Sequence, residues 1–182
     1  MKNKNIIGIM AFALVIVVGA CPAFAAQTTS ATQQVQVTVN PTIAIAATWN
    51  NKGNNSTIDL GALDADGLQT TFTGGASGEQ LYTYSNVPID VYTRASGDLA
   101  SGSNTIALSN FLYKDSTGAQ KEFTQTYAKI HENWAAATQS GPNKESVDLA
   151  LTVPFGTAAG NYNSTVYFSA VQKGTSSAPS TP

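Results

Sequence analysis

A chain of 182 residues with a formal net charge of −2 and only 11% charged residues has the length of one domain and can bury a substantial core. The scarce, mildly acidic charge argues against nucleic acid as a partner, because a phosphate backbone is bound by clustered Lys or Arg that displace its counterions. Ser, Thr, Asn, Gln, Gly and Ala dominate instead, giving the neutral polar surface of an extracellular β protein.

Residues 1–25 read as a signal peptide. Lys2 and Lys4 supply a positive start, Ile6 to Ala20 an uncharged apolar run, and Ala23-Phe24-Ala25 a small-x-small cleavage site. The run is short for a retained span of roughly 20 residues and polar sequence follows it. Its removal lowers the nine Lys and Arg to seven against eleven Asp and Glu, and leaves no polybasic membrane anchor. The single cysteine, Cys21, allows two outcomes. Val18-Gly19-Ala20-Cys21 resembles a lipobox, which would make Cys21 a lipidation site and the protein membrane-held. Cleavage after Ala25 would instead leave a mature chain without thiol, disulfide or Cys-based metal site.

Residues 26–32 (AQTTSAT) form a flexible leader, 33–172 a single β-sandwich domain and 173–182 a disordered polar tail. From residue 33 the hydrophobic period is two. In QQVQVTVN, Val35, Val37 and Val39 alternate with polar residues, a half-buried strand pattern ended by Asn40-Pro41, and TIAIAATW follows at once. NNKGNN is a loop, TIDL a short strand, ALDADG a turn, and Gln69–Thr73 and Gln80–Ser85 are strands around GGASG. NVPIDVYT places Val87, Ile89 and Val91 on one face and Pro88, Asp90 and Tyr92 on the other, which suggests a sheet wet on one side. TIALSNFLYK changes parity between Leu108 and Phe111, predicting a β-bulge near Ser109-Asn110. In KEFTQTYAKIHENWAA, Phe123, Tyr127, Ile130 and Trp134 form a helical stripe, while alternation from Tyr127 to His131 fits a strand as well. VDLALTVPF turns Val147, Leu149, Leu151, Val153 and Phe155 inward, and a last strand runs from Tyr162 to Val171.

The expectation is therefore an all-β, two-sheet sandwich, Ig-like or jelly roll, of about eight or nine short strands and at most one short helix. Catalytic motifs are missing: the only histidine, His131, has Glu132 beside it, but Ala135 stands where H-E-x-x-H needs its second histidine. Asp59, Asp64 and Asp66 in a Gly-containing turn are candidate calcium ligands, with simple turn chemistry as the alternative. Trp49, Tyr82, Tyr84, Tyr92 and Trp134 are candidates for a sugar-stacking platform or for core and sheet packing. Asn54, Asn55 and Asn163 head N-x-S/T sequons and are candidate glycan acceptors.

YSNVPIDVYTRASGDLASGSNTIALSNFLY, followed by LTVPFGTAAGNYNSTVYFSAV, resembles a secreted β-sandwich module of archaeal, methanogen-type surface proteins over roughly residues 56–171. More distantly the closing strands are similar to those of TasA-type biofilm fibre subunits and archaeal bundling pilins. Tyr84-Ser85-Asn86 departs from the module's Asn-x-Gly turn, and no sorting tail follows Gln172. The resemblance implies a fold and an extracellular setting, with no residue-level motif for assembly. Two functions remain. The first is a non-enzymatic secreted structural protein, a filament or coat subunit, whose partners are its own copies or other surface proteins. In it Val35, Val37 and Val39 form a donor strand that adds to a neighbour's sheet edge, unless that strand pairs within its own domain. The second is an extracellular binding module for carbohydrate or calcium.

Overall fold

The computed structural model describes residues 33–175 and 178–179. The signal peptide, Cys21, the leader and half of the terminal tail lie outside the described residues. Residues 33–38 belong to a unit separate from the one that begins at Val39.

The described residues hold twelve strands and one 3₁₀ turn: β1 (Ile45–Trp49), β2 (Gln69–Phe72), β3 (Glu79–Thr83), β4 (Ile89–Ala95), β5 (Leu99–Ser101), β6 (Asn104–Ile106), the turn Leu108–Asn110, β7 (Phe111–Lys114), β8 (Gln120–Glu122), β9 (Ala128–Trp134), β10 (Asn143–Val147), β11 (Leu149–Thr152) and β12 (Val166–Gln172). The all-β sandwich-like class is as expected. More strands than eight or nine arise because the three-residue strands β5, β6 and β8 form and because VDLALTVPF is divided between β10 and β11. β10 and β11 are separated only by Asp148, and β2 and β3 run antiparallel to them in the same direction, with Phe72 opposite Leu149 and Glu79 opposite Val147. Residues 73–78 bulge out between those pairs.

Asp148 pins the bulge. Its Oδ1 accepts the Gly74 N–H at 2.9 Å and its Oδ2 accepts Lys114 Nζ at 3.1 Å. A side chain at Gly74 would collide with the Val147 backbone, so the close approach of bulge and strand requires glycine there. One layer is thus β1, β3 with β2, β10 with β11, β7 and β8; the other is β12, β4 and β9. Their apolar faces share one core, which includes Trp49, Leu81, Val91, Phe111, Tyr113, Phe123, Trp134 and Leu149.

Several expectations need correction. Residues 121–136 are not helical: β8 and β9 occupy them, and the period-two alternation prevails because Ile130 and Trp134 are both buried across a register shift against β4. Near that shift Asn133 takes a left-handed φ of 54° and donates its N–H to Asp90 Oδ1 at 2.8 Å. β4 is buried at all seven positions rather than wet on one side. Its polar face is covered by Lys129, which donates to Asp90 Oδ2 at 3.0 Å, and by Tyr167 and Tyr127, whose ring centroids lie 4.0 and 5.2 Å from the Arg94 guanidinium carbon. Phe155 is 80% exposed because β11 ends before Pro154 and a turn closed by Thr157 N–H to Pro154 O reverses the chain. TIDL forms no strand, and QQVQVTVN belongs to no strand either: Val35, Val37 and Val39 are 96%, 80% and 74% exposed. In place of a bulge near Ser109-Asn110 stands the 3₁₀ turn Leu108–Asn110.

Candidate functional site: a groove between two free strand edges

The register of β1 and β12 determines which backbone groups are spent. Tyr84 N–H donates to Ala44 O and Asn86 N–H to Thr42 O, so even residues of this strand face β3 and odd ones face away. Of the outward groups, Ala47 O is taken by Asn55 N–H at 2.7 Å and Trp49 N–H by Ser56 Oγ at 2.8 Å. Ile43 and Ile45 remain on the open edge. On β12, Ser96 N–H to Thr165 O and Lys173 N–H to Pro88 O fix odd residues toward β4. The backbone groups of Val166, Phe168, Ala170 and Gln172 therefore face away, and β12 has β4 as its one strand neighbour among the described residues.

A groove of about 1460 Å³ is lined by residues from both edges, Ile45 and Ala47 of β1 and Val166 and Phe168 of β12. Its apolar lining is extended by Ile58, Leu60 and Leu63 from the segment before β2 and by Phe111, Leu151 and Val153 from the core. This volume exceeds the roughly 300–1,000 Å³ of small-molecule pockets and suits a length of polypeptide. The inward side chains of β12 are only half-buried, unlike those of β4.

One wall residue is anomalous. Glu79 lines the groove at 2% exposure, and its Oε1 has no hydrogen-bond partner. Burial pushes its carboxyl up to about 8, so it is a neutral acid at lower pH. Trp49, opposite Glu79 in the ladder, also has an unpartnered Nε1–H. The sequence reading began that strand at Gln80 and missed Glu79, although Glu79, Leu81 and Thr83 share one parity and place a carboxylate on a core face.

The other buried carboxylates are satisfied. Lys121 and Thr117 hold the Asp115 carboxyl well below the usual range. At Asp90 burial opposes the shift, but the Asn133 N–H and Lys129 still lower it.

The sequence candidates are not gathered in one place. Asp59 Oδ1 accepts Gly61 N–H and Asp66 Oδ1 accepts Leu68 N–H, each two residues on, as turn-forming aspartates do, while Asp64 is exposed. Among the described residues no group of three His, Cys, Asp or Glu side chains is placed to hold a metal ion. Trp49 and Trp134 are buried at 3% and 5% exposure and offer no stacking surface. Tyr92 is buried as well, Tyr82 is half-buried beneath Lys144, and Tyr84 is the exposed aromatic of the set. Asn54, Asn55 and Asn163 are all exposed; Asn163 pairs its backbone with Ala100 and keeps its side chain at the surface. His131 stacks on Trp134, with Nδ1 3.7 Å from Glu145 Oε2 and no hydrogen-bond partner.

No known protein family matches the chain, and no curated protein matches it either.

Proposed function

We propose that the protein is a non-enzymatic structural component of the cell exterior, whose copies assemble by β-strand addition. Residues 33–40 of one copy add to the free edge of β12 in the next and fill the groove beside it. The observation that carries this reading is the pairing of a deficit with a surplus in one chain. Among the described residues β12 leaves a strand-length edge without a strand neighbour, beside a groove whose wall mixes apolar residues such as Ile45, Leu60 and Phe168 with polar ones such as Ser56, Thr157 and Ser164, while Val35, Val37 and Val39 are exposed on a segment of period-two sequence. Gln33 to Val39 spans seven residues, the length of β12. Main-chain hydrogen bonds to Val166, Phe168, Ala170 and Gln172 supply affinity, and the valines enter the groove while Gln34, Gln36 and Thr38 face solvent. The signal peptide reading and the likeness to secreted archaeal surface modules support the extracellular setting.

Assembly is the measurement. The intact chain is expected to form large species by light scattering, and a chain lacking residues 33–40 to remain monomeric at the same concentration. Equal sizes for the two chains would overturn the proposal.

A further inference from the structure

We infer that Asn55 and Asn163 carry N-linked oligosaccharides, and that Asn54, which heads a third sequon, does not. The inference rests on the extracellular setting proposed above, because such sugars are added to chains that leave the cytoplasm.

The three sequons are Asn54-Asn55-Ser56, Asn55-Ser56-Thr57 and Asn163-Ser164-Thr165. Each must offer a transferase two groups, the Asn amide that takes the sugar and the hydroxyl two residues on. The fold presents both groups in two of the motifs. Asn55 and Thr57 are exposed on either side of half-buried Ser56, and Asn163 and Thr165 are exposed on either side of half-buried Ser164. The middle serine anchors each motif to the protein. Ser56 Oγ accepts Trp49 N–H at 2.8 Å and donates to Trp49 O at 3.3 Å, while Ser164 Oγ donates to Gly97 O at 2.6 Å. The backbones are tied as well: Asn55 N–H donates to Ala47 O at 2.7 Å, and Asn163 exchanges both backbone hydrogen bonds with Ala100, at 3.0 and 2.9 Å. Sugar can therefore join either amide without opening the fold.

The frame that starts one residue earlier lacks this arrangement. Asn54 is exposed, but the hydroxyl of its motif is that of Ser56, which is spent on both backbone groups of Trp49. Reading that motif would break the two bonds that hold Ser56 to the end of β1.

The sugar donor is a lipid-linked oligosaccharide. In the transfer, Asn Nδ2 attacks C1 of the first sugar and the bond from C1 to the phosphate oxygen breaks. The lipid phosphate leaves with the electron pair, and one Nδ2 proton passes to a base of the transferase. The product nitrogen keeps one N–H. At Asn163 that is enough to retain the bond from Nδ2 to Asn161 O, 3.2 Å long at the surface. Neither acceptor belongs to β12, whose open edge begins at Val166.

Peptide mapping by mass spectrometry of the chain collected from the surface or medium of its own cells tests this. Sugar is expected on Asn55 and on Asn163, with none on Asn54. Thr57→Ala and Thr165→Ala, at exposed positions, are each expected to lower the intact mass by one whole glycan. Asn54→Gln, which abolishes the Asn54 motif alone, is expected to keep both glycans. A Thr57→Ala chain that still carries two glycans would place one on Asn54 and overturn the choice between the overlapping motifs. An extracellular chain bare at Asn55 or Asn163 would overturn the assignment at that residue and leave the extracellular reading standing. A chain recovered only from the cytoplasm would overturn that reading as well.

Discussion

Glu79→Gln is expected to stabilise the isolated fold by roughly 3–5 kcal/mol at pH 8 and by little at pH 4.5. The carboxyl titrates near 8 in the folded protein against an ordinary value of 4.5. Below the unfolded value both states hold the proton, and the folded state is at its full advantage. As pH rises through that value, the unfolded chain releases its proton while burial obliges the native state to keep it. Stability therefore falls from pH 4.5 upward, with the loss complete above the folded value near 8. Glutamine carries no proton to lose, so the variant's stability should be flat over the interval. Urea midpoints at pH 4.5 and pH 8 for both proteins measure this, and parallel pH dependence would contradict it. The acid limb has the opposite sign. Asp115, lowered chiefly by its hydrogen bond with Lys121, and Asp90 contribute stability above the usual carboxylate range that is lost as pH falls through their depressed values.

Phe123→Ala is expected to cost about 3–5 kcal/mol, the range for removal of a buried phenyl ring. The ring is 2% exposed, stacks on Phe111 with centroids 4.5 Å apart and leans on Tyr113 at 4.9 Å. Its backbone N–H donates to Phe111 O at 3.0 Å, which holds the chain between β8 and β9 over the core. Neighbours fixed in β7 cannot collapse into the space a deleted ring leaves. Phe155→Ala, at an 80% exposed position, should change stability by less than about 0.5 kcal/mol in the same urea titration. Equal losses at the two positions would contradict this assignment of the core.

These two phenylalanines also mark what a sequence of this kind reveals. Alternation located the core faces of β3, β7 and β10 with β11, because Leu81, Phe111, Tyr113 and Leu149 each sit one residue from a polar neighbour. It misplaced Phe155, because Pro154 and the turn after it break the parity that the reading carried through. It read the Pro88, Asp90 and Tyr92 face as wet, because the cover over that face of β4 comes from Tyr127, Lys129 and Tyr167, residues distant in sequence whose long side chains bury Asp90 and Arg94 by ionic and cation–π contacts. The candidate site was legible on one side only. The valine stripe is a local pattern, whereas the free edge of β12, the groove and the unpartnered Glu79 exist only once strands from both layers are in place.

Copy mixing tests strand addition most directly. One chain lacks residues 33–40 and can only accept. The other carries Ala170→Pro and can only donate, because the Ala170 N–H faces away from β4 and proline there removes an edge donor without breaking the existing ladder. Each chain alone should remain monomeric by light scattering, and an equimolar mixture should yield a one-to-one complex. A mixture that stays monomeric, or Ala170→Pro chains that assemble unaided as the parent does, would contradict addition at the β12 edge.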